Sequence, residues 1–128
     1  MPHSNPAANR HPFVEEIRVR FPEVREAVDA YEIVGLLHCE VGAFARVSVD
    51  AFNAGDLDRV ERYFAFVNDA FADADTELKN ALHVSYAEDF AWGTAHEQTA
   101  RRLMPPRLAL AFDGMLAWPH PHPTDGAA

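Results

Sequence analysis

Apolar residues recur along most of this chain at helical spacing. Leu37, Val41, Phe44 and Phe52 share one face, with Ser48 filling the same stripe at steps of three and four. Leu57, Val60, Phe64, Val67 and Phe71 form a second stripe of the same kind. Shorter amphipathic runs occupy 13–20 and 23–32, split by Pro22, which suits a helix's first turn better than its interior. The pattern predicts helices over 13–20, 23–32, 35–53 and 57–71, then one that contains NALHVSYAEDF (80–90) and stops at Gly93. Two more follow, from Thr94 to about Leu103 and from Pro106 to near Trp118. The punctuation agrees. Gly55 is placed for a left-handed cap and Asp56 for the next N-cap. Asp73, Asp75 or Thr76 can cap the fifth helix, Thr94 and Glu97 have capping-box spacing, and Pro106 fits a first turn.

Strand signals are poor, with few β-branched runs and no hairpin dipeptide between alternating segments. An all-α fold of antiparallel helical hairpins is expected, closed as a compact bundle or stacked as a short solenoid. No internal repeat decides between the two. Residues 13–118 form one helical domain. Residues 1–12 and 119–128, rich in proline, read as disordered tails, with His120 and His122 exposed in the second.

Composition changes the picture at two points. Cys39 is the single cysteine, so an intrachain disulfide and a Cys-rich zinc site are both excluded, and a cytoplasmic setting is expected. No signal segment opens the chain, and the apolar runs fall short of the ~18–20 residues a membrane span needs. The net charge of −9 disfavours nucleic acid and favours encounter with a basic protein.

Catalytic patterns find little support. No histidine follows a glutamate at the Glu-x-x-His spacing of di-iron bundles, and HExxH is absent. His38, Cys39 and Glu40 are consecutive and point apart on a helix. The run from Asp73 to Glu77 lacks the glycine and terminal glutamate of a calcium loop, Leu78 and Val84 standing there instead. No Gly-x-Ser-x-Gly elbow or phosphate-cradling glycine loop exists. No catalytic residue, metal or cofactor is therefore expected. The alternative is a helical enzyme or metal-binding protein in which Cys39 approaches His83, with Glu88 beside them.

NALHVSYAEDF threads Asn80, His83, Ser85, Glu88 and Asp89 through apolar positions. Such groups would be half-buried and need partners. The expected partners are backbone groups at neighbouring helix ends or the hydroxyls of Tyr63 and Tyr31. This polar set is read as structural, fixing the helix's rotation. Two acidic groups are candidate binding surfaces. Asp69, Asp73, Asp75 and Glu77 gather about one turn, while Glu23, Glu26, Asp29 and Glu32 step at threes along another helix, with Glu40 beyond.

Gly55-Asp56, Phe64-x-Phe66-Val67 and Asn80-Ala-Leu-x-Val84-Ser85-x-x-Glu88-x-Phe90 carry a resemblance over roughly residues 21–92. The chain resembles a bacterial family of small, acidic, all-helical domains of unknown function, similar to immunity proteins of polymorphic and contact-dependent toxin systems. The resemblance brings no catalytic residues. It implies a non-catalytic protein-binding module that neutralises a basic toxin domain by occluding it, without nucleic acid or membrane. Homo-oligomerisation stays open, as a homodimeric structural or regulatory domain pairing through Phe64, Phe66, Phe71 and Trp92.

Overall fold

The computed structural model describes residues 10–91 and 97–117, the side chains at 91, 97, 116 and 117 excepted. All regular structure among them is helical. α1 (Pro12–Arg20) carries proline in its first turn and takes His11 as N-cap, whose Nδ1 accepts from the Phe13 N–H at 3.0 Å. A 3-10 turn (Pro22–Val24) leads into α2 (Arg25–Val28). The helix expected over 23–32 thus ends four residues early. Its carboxylate at Asp29 is drawn back to Arg10 and Arg18, and Gly35 takes φ 86° to redirect the chain.

α3 (Leu37–Asn53) buries the whole predicted face: Leu37, Val41, Phe44, Ser48 and Phe52. It closes on Gly55 at φ 80°, with the Gly55 N–H donating to Phe52 O and the Asp56 N–H to Ala51 O, the paired bonds of a Schellman cap. Asp56 then caps α4 (Leu57–Asp73), which buries Val60, Phe64 and Val67. Asp75 caps α5 (Thr76–Ala81), accepting from the Leu78 N–H at 2.7 Å. The backbone widens into a π-helical segment over Leu82–Ala87 before α6 (Glu88–Ala91). α7 (Glu97–Leu103) and α8 (Pro106–Ala117) follow. Thr94 and Trp92 lie outside the described residues.

α3 lies at the centre, packed against α2, α4, α6 and the π segment. α8 closes over α4, α6 and the π segment, and α1 returns to α3. Contacts between elements far apart in sequence make this a compact bundle; in a solenoid only neighbours would meet. Phe44 is fully buried, with the Tyr63, Tyr86 and Phe21 rings at 5.2, 5.3 and 6.0 Å. Phe64 and Phe90 extend the cluster, their rings 5.1 Å apart and edge to face.

Three polar contacts tie this core together. The Tyr86 hydroxyl donates to Ser48 Oγ at 2.8 Å, and Ser48 donates on to Phe44 O at 3.0 Å. Asn68 Oδ1 accepts from the Arg107 and Leu108 N–H groups at 2.8 and 3.1 Å, fixing the start of α8 against α4. Glu40, wholly buried, accepts from Arg10 Nε at 2.8 Å and the Gly35 N–H at 3.0 Å. Arg10, His11 and Pro12, expected in the N-terminal tail, thereby belong to the folded domain. The rest of that tail, and all of 119–128, lie outside the described residues.

Candidate protein-binding groove

α1, α4 and the start of α5 border a groove of about 440 Å³. Helical spacing supplies both walls. His11, Pro12, Phe13, Glu16 and Arg20 come from the α1 side, and Phe66, Asp69, Ala70 and Asp73 from α4, with Leu78 of α5 at the end. The floor is apolar: the Phe13 and Phe66 rings stack at 5.0 Å. Acidic groups edge it. The chain's own Arg20 lies on this edge, its guanidinium carbon 5.4 Å from the Phe66 centroid and its Nε 2.8 Å from Glu16.

Asp69, Asp73, Asp75 and Glu77 all sit at this end of the molecule, exposed as a group, with Asp69 and Asp73 lining the groove itself. Asp75 has structural work besides. Its Oδ2 accepts from His11 Nε2 at 2.9 Å, which the acceptor role of Nδ1 leaves as the protonated nitrogen. The Leu78 N–H first, and then His11, hold the Asp75 carboxyl below its ordinary range. Asp69, Asp73 and Glu77 take no ion pair among the described residues.

The second acidic group does not form the surface expected of it. α2 stops at Val28, so the steps of three no longer share a helix face. Asp29 bonds Arg10 at 2.8 Å and Arg18 at 3.0 Å. Burial works to raise its carboxyl, but those guanidinium bonds outweigh it and hold the group low. Glu23 accepts from the Tyr63 hydroxyl at 2.6 Å. Glu26 and Glu32 remain exposed but apart from the groove, Glu32 in the turn after α2.

The model of a family described as a domain of unknown function, DUF7674, matches residues 14–117, from the first turn of α1 to the end of α8. The chain belongs to this family. Comparison with curated proteins and with solved structures returns no match.

In this DUF7674 domain the polar set of the π-containing helix is wired differently from expectation. Tyr63 is committed to Glu23, and Tyr31 is 90% exposed. Ser85 instead meets His38 Nδ1 at 3.1 Å, and His83 packs edge-on to Phe71 at 5.3 Å. Asn80 is exposed and Glu88 half-buried. Asp89 is half-buried: burial first, and Glu88 beside it, push its carboxyl up, while Arg46 opposes them. The buried hydrogen bonds run through Tyr86, Ser48, Asn68, Glu40 and Arg10. Ser48 was visible as a hydroxyl in an apolar stripe; the others carry no such signal.

Cys39 and His83 do not meet. Cys39 lines a groove of about 590 Å³ between α2 and α3 with Ala43 and Arg46, whereas His83 lines a separate cleft with Phe71 and Arg107. Among the described residues no three His, Cys, Asp or Glu side chains come together as a metal site, and no helix is long and apolar enough to cross a membrane. Of the aromatic residues expected to pair in a homodimer, Trp92 lies outside the described residues. Phe64 is fully buried, while Phe66 and Phe71 pack partly buried against the core.

Proposed function

We propose that this domain is a non-catalytic protein-binding module, and that its groove between α1 and α4 takes a basic segment of another protein. The observation that carries this reading is the combination of an apolar floor, Phe13 and Phe66, with Asp69 and Asp73 along its edge, neither ion-paired among the described residues. Arg20 supports it by example. A guanidinium already lies over Phe66 and against Glu16, so the aliphatic stem and cationic head of a partner's Arg or Lys would find the same complement. The net charge of −9 adds long-range attraction for such a partner.

An immunity-type role is the form of this activity that suits the resemblance: an acidic helical domain covering the basic cleft of a toxin domain in the bacterial cytoplasm. The free, exposed Cys39 is compatible with a reducing compartment. The test uses the whole chain as bait in a lysate of its source cell, at low salt and at about 0.5 M, where screening is short-ranged. A single stoichiometric basic protein is expected, retained at low salt, released at high salt and lost from the Asp69→Asn, Asp73→Asn double variant. Equal retention by that variant would remove the groove from the interaction. No salt-sensitive partner of the folded bait would sink the reading itself.

A further inference from the structure

On the far wall of α4 the chain brings two basic groups to one cleft whose lining carries no acid. His83, Arg107, Phe71, Leu110 and Ala111 line a cleft of about 240 Å³ between the π segment, α4 and α8. Lys79 lies one turn before His83 and acts on it electrostatically. Neither Lys79 nor Arg107 has an ion pair among the described residues, and no carboxylate lines the cleft. In a chain of net charge −9 that convergence is unusual.

Its apolar wall is equally unpartnered. Leu110 is 74% exposed, and beyond the lining Val84, next to His83, is 49% exposed. Both flanks are positioned by specific backbone features. The π segment changes the helical phase at His83. Asn68 holds the Arg107 and Leu108 N–H groups, anchoring the start of α8 beside the cleft. The imidazole is half-buried against Phe71, and burial, then Lys79, depress its basicity, as expected of a ring with no anion beside it.

We propose that this cleft binds a small organic acid, its apolar body against Phe71, Leu110 and Ala111 and its carboxylate directed to Arg107 and His83. The volume is below the ~300 Å³ at which drug-sized ligands begin, so a single-ring or branched carboxylate is the class that fits. A neutral molecule of the same shape would leave the basic groups unanswered, and a bare inorganic anion would leave the apolar wall wet.

The test is an NMR titration of the folded full chain with phenylacetate, phenylacetamide and inorganic phosphate in parallel. Phenylacetate is expected to give saturable shifts centred on His83, Arg107 and Leu110, with about tenfold weaker binding of the amide, the loss of one charge-assisted contact. Arg107→Gln, a change at an exposed side chain, should weaken phenylacetate by a similar factor and leave the rest of the spectrum in place. Asp69→Asn, on the other side of α4, should leave it unchanged, which separates this site from the protein-binding groove. Equal binding of acid and amide, saturable binding of phosphate alone, indifference to Arg107→Gln, or no saturable shift would each overturn the proposal.

Discussion

Glu40 is the residue on which the N-terminal half of the fold turns. Its carboxylate is wholly buried, held through Oε2 by Arg10 and the Gly35 N–H, while Oε1 has no hydrogen-bond partner among the described residues. Removing one member of a buried ion pair strands the other, at a cost of about 3–5 kcal/mol. Arg10→Ala is therefore expected to lower stability on that scale in urea denaturation. Combining Arg10→Met with Glu40→Leu should recover most of it; a loss below about 1 kcal/mol for the single variant would contradict the pair's role. Two half-buried groups contribute to the pH response in opposite senses. Burial raises the Asp89 carboxyl, so its ionisation is resisted by the fold and stability is lost as pH rises through the raised pKa. Asp89→Asn should accordingly stabilise the protein at neutral pH, the gain disappearing below about pH 4. His83 works in the other sense. Burial first, then Lys79, lower its pKa, so protonation favours the unfolded chain and stability falls as pH drops below about 6.5. His83→Gln should flatten that limb of a melting-temperature profile.

Among the elements, the best-determined boundary is the junction of α3 and α4. Gly55 at φ 80° supplies the left-handed residue, and the two bonds it permits leave Asp56 ready to cap α4. A Cβ there would meet nothing within 4 Å, so the cost of Gly55→Ala is conformational rather than steric crowding by neighbours. About 1–2 kcal/mol is expected, measurable by thermal unfolding. This boundary was legible because glycine and aspartate state their backbone preferences locally. The end of α2 was not legible. Glu23, Glu26, Asp29 and Glu32 keep a helical rhythm, yet long-range pairing of Asp29 with Arg10 overrides local propensity. The π segment was hidden for a related reason: no residue type marks the shift to i→i+5 bonding, which packing of Tyr86 and Leu82 into the core accommodates.

For the whole molecule, the arrangement of charge matters more than its sum. The Asp69 and Asp73 carboxylates at the α1–α4 groove and the basic groups at the α4–α8 cleft lie along different sides of one helix, α4. Converting Asp69 and Asp73 to asparagine should change stability by less than about 0.5 kcal/mol, since both are exposed and take no ion pair among the described residues. The same variant should slow association with an arginine-rich peptide and flatten its salt dependence in stopped-flow. Unchanged salt dependence would mean that the groove's charge plays no part in encounter.

The sequence by itself determined where α3, α4 and α8 run, the cap between α3 and α4, the buried face of α3 and most of that of α4, because period, glycine, proline and capping aspartates act within a few residues. It also determined that Asp69, Asp73, Asp75 and Glu77 would crowd one turn. Only the tertiary structure decided that the helices close as a bundle, that Asp29 is paired with Arg10 and Arg18, and that Cys39 and His83 face different clefts. It alone set Phe13 beneath Asp69 and Asp73 to make a groove, and Arg107 beside His83 to make a cleft. Those pairings join residues more than twenty positions apart. Which of them meet is settled by how aromatic side chains interlock around Phe44, and no local pattern encodes it.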